Sequence, residues 1–200
     1  MIVGHDQHKP LDAIFINSPL KDYDKSPRLN NFTLPVLGLG YIATYAKESG
    51  FNVGVLDAES TGLGITAISQ IINEANPRWI GLNLLAPTYR NSVAILKHVS
   101  SDIKVMLGGH QAKAMPKEII ADRQINRIDA LILGEGETRV SQLLLDLHSR
   151  RSLPNVFWRN ATGECEEADS GNSHERANWL SPDIDKLPFI NRSFLIQDPF

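Results

Sequence analysis

Three glycine strings are the residues of this chain best suited to hold a ligand: Gly38-Leu39-Gly40, Gly108-Gly109-His110 and Gly134-Glu135-Gly136-Glu137. Glycine lets a bulky group approach the main chain closely and accept hydrogen bonds from its amides. Around these strings stand Asn17-Ser18-Pro19, Asp57-Ala58-Glu59 and the run from Asn83 to Tyr89, again small, polar or proline-bearing. The set points to a large, nearly uncharged pocket that binds rather than reacts. Each string also has a local explanation: helix packing for Gly38 to Gly40, a turn for Gly108-Gly109, and helix-end stabilisation for Glu137.

Catalytic signatures are missing. There is no G-x-S-x-G elbow and no G-x-x-x-x-G-K-[ST] phosphate loop. Asp57 resembles the ribose-binding acid of dinucleotide folds, yet Gly38, Gly40 and Ala43 do not complete a G-x-G-x-x-G, which argues against NAD. The single cysteine, Cys165, excludes an internal disulfide framework and a C-x-x-x-C-x-x-C cluster site within these residues. Of the histidines, His5, His8, His98, His148 and His174 fall outside the ligand loops, and only His110 stands beside a glycine string. No catalytic residue and no metal ligand is therefore assigned.

The elements that must position these loops follow from periodicity. From Ala13 onward, apolar runs of strand length alternate with amphipathic stretches of helix length. The strands read Ala13 to Ser18, Asn52 to Asp57, Trp79 to Leu85, a run from Lys104 ending in Gly108-Gly109, and Ala130 to Glu135. Helices are expected at about Leu37 to Ser49, over Ile65 to Ile72, from Thr88 to Val99, over Pro116 to Asp122, and from Thr138 to Ser149. This predicts a doubly wound, five-stranded parallel sheet of Rossmann or flavodoxin-like type in the order 2-1-3-4-5, with the ligand crevice beyond the carboxyl ends of the strands. Residues 1–11 are expected to be a flexible N-terminus, 12–150 the α/β domain, and 151–200 a short hairpin followed by a linker.

With 42% hydrophobic residues the chain can bury one ordinary core. Twenty Lys and Arg against 23 Asp and Glu, with no dense basic run, argue against a nucleic-acid partner. No apolar stretch is long enough to span a bilayer and no signal-peptide core opens the sequence, so a cytoplasmic protein is expected, without a membrane partner.

Taken in order, the strings Asn17-Ser18-Pro19, Leu34 to Asp57, Ile80 to Tyr89, Val105 to Ala112 and Asp129 to Leu144 resemble the cobalamin-binding domain of radical S-adenosylmethionine enzymes. Pro154 to Gly163 and Asp183 to Arg192 extend the resemblance into the linker toward a radical barrel. The resemblance implies cobalamin as cofactor, with contacts from Asn17, Ser18, Pro35, Leu37, Gly38, Asn83, Leu85, Ala86, Thr88, Tyr89, Gly108, Gly109, His110, Gly134, Glu135, Gly136 and Glu137. Methionine-synthase-like relatives carry D-x-H-x-x-G before the first helix. Aligning Gly38 with its last glycine puts Thr33 at the Asp and Pro35 at the His that would ligate cobalt. A base-off, His-off cobalamin is thus implied. Asn83 stands where those relatives use a serine near the buried nucleotide tail, and His110-Gln111 departs from the Pro-His frequent in radical enzymes. The same resemblance implies a partner barrel holding a [4Fe–4S] cluster and S-adenosylmethionine, outside these residues, and methyl transfer as the reaction. The chain is expected to end just before that barrel or at its start. Two alternatives suit the same loops: a docking or substrate-recognition domain of this ancestry without cobalamin, or another flavodoxin-like domain for flavin or a sugar nucleotide.

Overall fold

Strands form in this chain where apolar residues alternate between two covered faces. The computed structural model describes residues 1–29, 33–168 and 183–196. Strands β1 (Ala13–Asn17), β2 (Val53–Asp57), β3 (Trp79–Asn83), β4 (Lys104–Gly108) and β5 (Ala130–Ile132) pair in parallel in the order β2-β1-β3-β4-β5. The strand order reverses between β1 and β3. In such sheets the crossovers to either side diverge there and leave a crevice.

The expectation of five strands requires correction. The sheet has seven, because β6 (Val156–Arg159) joins β5 in antiparallel fashion and β7 (Cys165–Glu167) follows it. The segment expected as a separate hairpin is thus part of the main sheet. β5 is three residues long, and its bare outer edge would expose unpaired amides and carbonyls. Pairing Leu131 with Phe157 and Ile132 with Val156 covers that edge, and the period-two pattern sends Val156 and Trp158 into one face and Phe157 toward the other.

Among the described residues seven α-helices surround the sheet. Helices α1 (Leu37–Glu48) and α7 (Glu137–Leu145) lie on one side, where Leu39, Ala43, Val140 and Leu143 pack against Phe15, Val55, Met106 and Ile132. On the other side α3 (Ile65–Ala75), α4 (Tyr89–Leu96), α5 (His110–Ala114) and α6 (Pro116–Ala121) bury Ile68, Val93, Ala112 and Ile119 against Ile14, Ile80, Leu107 and Leu131. A one-turn helix α2 (Ala58–Thr61) follows β2 directly, capped by the Asp57 carboxylate, which accepts from Ser60 N at 3.1 Å. Several helical details differ from expectation: α2 was not among the expected helices, and α4 ends at Leu96 rather than Val99. α5 was not anticipated, since five residues carry no readable period, and the helix after β5 ends at Leu145 before a 3₁₀ turn over Leu147–Arg151.

The first residues of the chain and residues 191–195 meet on the α1 side of the sheet. Within residues 1–11, expected as a flexible lead-in, Val3 exchanges both main-chain hydrogen bonds with Val55 at 2.9 and 3.0 Å. Gly4 is left-handed (φ 87°), and a Cβ there would lie 2.1 Å from Phe194 Cδ1. Phe194 is fully buried, with Lys47 Nζ 5.2 Å from its ring centre. Asn191 N donates to Thr44 Oγ1 at 2.9 Å, so part of the expected linker docks on α1. His174 and the rest of 169–182 lie outside the described residues.

Candidate ligand cleft

Between the sheet and helices α1 and α7 a cleft of about 330 Å³ opens at the carboxyl ends of β3, β4 and β5. Its floor is Phe15, Gly81, Met106 and Ile132, its walls are Leu39 and Ile42 of α1 and Val140 of α7, and the rim comes from the loops after β3, β4 and β5. The register explains the hollow. Phe15 pairs with Gly81 and Gly81 with Met106, so a residue without a side chain sits between two large ones on the same face. A Cβ on Gly81 would stand 2.8 Å from Phe15 Cδ1, closer than real Cβ contacts come, and a tight 3.2 Å from Met106 Cγ.

The rim glycines fall into two groups by what demands them. Gly109 (φ 94°) opens α5, and a Cβ on it would lie 2.1 Å from Asn83 Oδ1 and 2.8 Å from the Leu84 carbonyl. Gly134 (φ 87°) turns the chain after β5, and a Cβ on Gly136 would stand 3.0 Å from Ile42 Cδ1, where α7 begins against α1. Gly109 and Gly134 are required by the protein itself through their left-handed backbone, whereas at Gly136 the flexible end of Ile42 would have to give by a few tenths of an ångström. Gly108 and Gly38 are different. A Cβ on Gly108 would meet only the Ile132 carbonyl at an ordinary 3.5 Å, and one on Gly38 would meet nothing within 4 Å. Both border the cleft, and what their small size preserves is its open space.

One charged group reaches into this apolar place. Glu137, in the first turn of α7, lines the cleft at 7% exposure, and its Oε2 has no hydrogen-bond partner. Burial pushes its carboxyl above the usual glutamate range, and the nearby Glu135 charge pushes the same way. Arg139, also buried, donates to the Pro154 carbonyl at 2.9 Å and to the Glu135 carbonyl, tying the loop after β5 to the start of β6. Burial lowers its pKa.

The structure brings together Gly38, Asn83, Gly108, Gly109, His110, Gly134, Glu135, Gly136 and Glu137 around this cleft. The other residues named from sequence stand apart from it. Asn17 donates to Asp57 Oδ1 at 2.8 Å, and the Ser18 and Ser92 hydroxyls are hydrogen-bonded to each other at 2.8 Å, so the end of β1 has hydrogen bonds of its own. Thr88 is buried; its carbonyl accepts from both the amide (2.9 Å) and the hydroxyl (3.0 Å) of Ser92, and Leu85 and Ala86 form the turn before it. Tyr89 donates to Asp122 Oδ2 at 2.8 Å beside a separate hollow that Met115 and Ile119 help to line. Pro35 and Leu37 are exposed just before and at the start of α1. The sequence reading missed most of the floor and walls: Phe15, Ile42, Gly81, Leu82, Met106, Leu107, Lys113, Ile132 and Val140. Gly81, a glycine inside a strand, was the signal available for that floor.

Among the described residues no cluster of three or more His, Cys, Asp or Glu is placed to hold a metal ion, and no helix is long and apolar enough to cross a membrane.

Comparison with known proteins fits this geometry. Over 176 residues the chain is 24% identical to the uncharacterized methyltransferase PH0819 of Pyrococcus horikoshii, covering 86% of this chain and 37% of that protein. It is 24% identical over 154 residues to the cytidylyl-2-hydroxyethylphosphonate methyltransferase of Streptomyces wedmorensis, covering 65% of this chain and 28% of the relative. In fold it resembles the radical S-adenosylmethionine methyltransferase TsrM of Kitasatospora setae, solved with cobalamin and a [4Fe–4S] cluster bound (TM-score 0.62, 16% identity, 82% of this chain and 29% of that one). It also resembles the cobalamin-dependent S-adenosylmethionine radical enzyme OxsB, solved with aqua-cobalamin (TM-score 0.59, 18% identity, 81% and 23%). The family model described as the B12 binding domain matches residues 31–144, more than half of the sequence, and this chain therefore belongs to the B12-binding domain family.

Proposed function

We propose that the cleft takes up cobalamin in its base-off, His-off form, and that the domain is the cofactor-carrying part of a radical S-adenosylmethionine methyltransferase. The observation behind this reading is the pair Gly38 and Gly108: both border the cleft, and neither is demanded by internal packing. A floor of Phe15, Met106 and Ile132 suits a flat aromatic base, and the main chain at Gly108-Gly109 and Gly134 to Gly136 offers amides to a polar tail.

When bound, cobalamin supplies a cobalt centre able to accept a methyl group and pass it on. The chain's own share is to bind and to shield. Leu39, Ile42 and Val140 keep water from the buried part of the ligand, while Asn83 and the rim glycines orient it. Thr33 and Pro35 present no imidazole ahead of α1, in keeping with a lower cobalt face left without histidine. The [4Fe–4S] cluster and S-adenosylmethionine belong to a partner barrel. The chain spans 37% and 28% of the two curated relatives, both methyltransferases by name, which leaves room in them for such a domain.

Titration with hydroxocobalamin tests the reading. A shifted visible spectrum and a raised Tm are expected, with about 2.7 kcal/mol of stabilisation at free ligand about 100-fold above Kd. No binding at about millimolar cobalamin, an affinity of only about 4 kcal/mol, overturns it.

A further inference from the structure

We propose that Glu137 is a specificity-determining residue that, as an uncharged carboxylic acid, donates a hydrogen bond to an acceptor atom on the buried tail of the ligand in the cleft. The inference rests on the cobalamin reading and deepens it. Three observations support it. Glu137 lines the cleft while being 93% shielded, since only 7% of it is exposed. Its Oε2 lacks a hydrogen-bond partner, an arrangement that buried polar atoms rarely keep once the site is filled. Its surroundings favour the neutral acid: Phe15, Met106 and Ile132 from the sheet, Ile42 from α1 and Val140 from α7 offer no charge.

The titratable and charged groups around the site are Glu135 on the same loop, Arg139 one turn into α7, and His110 and Lys113 of α5 across the rim. Burial is the largest influence and disfavours ionisation of Glu137, as does Glu135, while the main-chain amides of Glu137 and Gly136 and the Arg139 charge favour it. A neutral acid in an apolar cleft is a donor that an amide can imitate and a hydrocarbon cannot. Ionisation turns it into an acceptor only, which repels the ligand acceptor it served. Binding is therefore expected to weaken as pH rises through the ionisation of Glu137.

The test compares cobalamin with cobinamide, the corrinoid that lacks the nucleotide tail, on the wild-type chain and on Glu137→Leu and Glu137→Gln. Circular dichroism and Tm establish that each variant is folded. Wild type should prefer cobalamin. Glu137→Leu should lose about tenfold in cobalamin affinity, the equivalent of one hydrogen bond, with cobinamide affinity unchanged. Glu137→Gln should lose markedly less, and its affinity should no longer vary with pH where that of wild type does. A Glu137→Leu preference equal to wild type, or a Glu137→Gln pH profile that matches wild type, overturns the role of Glu137 while leaving cobalamin binding intact. Failure of wild type to bind cobalamin at any pH refutes the functional reading itself, and this inference with it.

Discussion

Asn83 and Gly109 are locked together at the mouth of the cleft: a Cβ on Gly109 would lie 2.1 Å from the Asn83 side-chain oxygen, at a backbone φ of 94°. One residue ends β3, the other opens α5 after β4. Their contact sets the spacing of the loops through which a ligand must pass, and it separates two neighbouring glycines that look alike in sequence.

Gly109→Ala and Gly108→Ala should therefore part company. Gly109→Ala forces a side chain into a left-handed conformation against polar atoms, a loss of about 1–3 kcal/mol or more. Gly108→Ala should fall within about 0.5 kcal/mol of wild type, since its Cβ would meet only the Ile132 carbonyl at 3.5 Å. Urea denaturation of both variants measures the difference. Gly108→Trp should fold and yet fail to take up cobalamin, because the indole would fill the cleft; uptake equal to wild type would place the ligand elsewhere.

Gly81→Ala should act on the cleft floor. Its methyl group must displace Phe15 or Met106 by several tenths of an ångström, and overpacking of this kind typically costs about 1–3 kcal/mol. Gly81→Ala combined with Phe15→Leu should recover part of the loss. Equal stability of single and double variants would mean that Phe15 is not the neighbour that yields.

The pH dependence of stability should show the buried acid. In the folded chain the Glu137 pKa stands above its unfolded value, so the folded state holds the extra proton. Its contribution is fully present below the unfolded pKa and is lost as pH rises through the folded one. Between those limits wild type should lose stability relative to Glu137→Gln, which has no proton to lose. Denaturation curves for the two proteins from about pH 4 to 8 test this, the lower limit lying near the ordinary glutamate pKa. Parallel curves would show Glu137 to be indifferent to burial.

Phe194→Ala should release the docked C-terminal segment. The ring is fully buried over Gly4 and beside Lys47, and large core truncations of this kind cost about 3–5 kcal/mol. Because residues 190–195 lie as a strap on α1, outside the sheet, the effect should be local. Faster hydrogen exchange at Asn191 and earlier proteolysis near Ile184 to Leu195 are the expected readouts. Protection unchanged from wild type would show that Asn191 and Thr44 hold the strap without the ring.

Much of this protein was legible in the sequence, because the features involved are local. Apolar runs such as Ala13 to Asn17 and Trp79 to Asn83 mark buried parallel strands whatever surrounds them, and the glycine strings mark loops a ligand can approach. The order of the matching strings was enough to indicate a cobalamin-binding ancestry, and residues 31–144 match that family. What only the tertiary structure decided are relationships between distant residues. Whether β6 and β7 stand apart or extend the sheet depends on the edge of β5, which no local pattern reveals. Hydrogen bonds join Asn17 and Ser18 at the end of β1 to Asp57 and Ser92 of other elements. The cleft floor depends on Phe15, Gly81 and Met106 falling into register across three strands. Sequence supplied the glycines; the register and the packing of α1 and α7 decided which of them enclose a space, because a cavity is defined by side chains that meet only after the strands have paired.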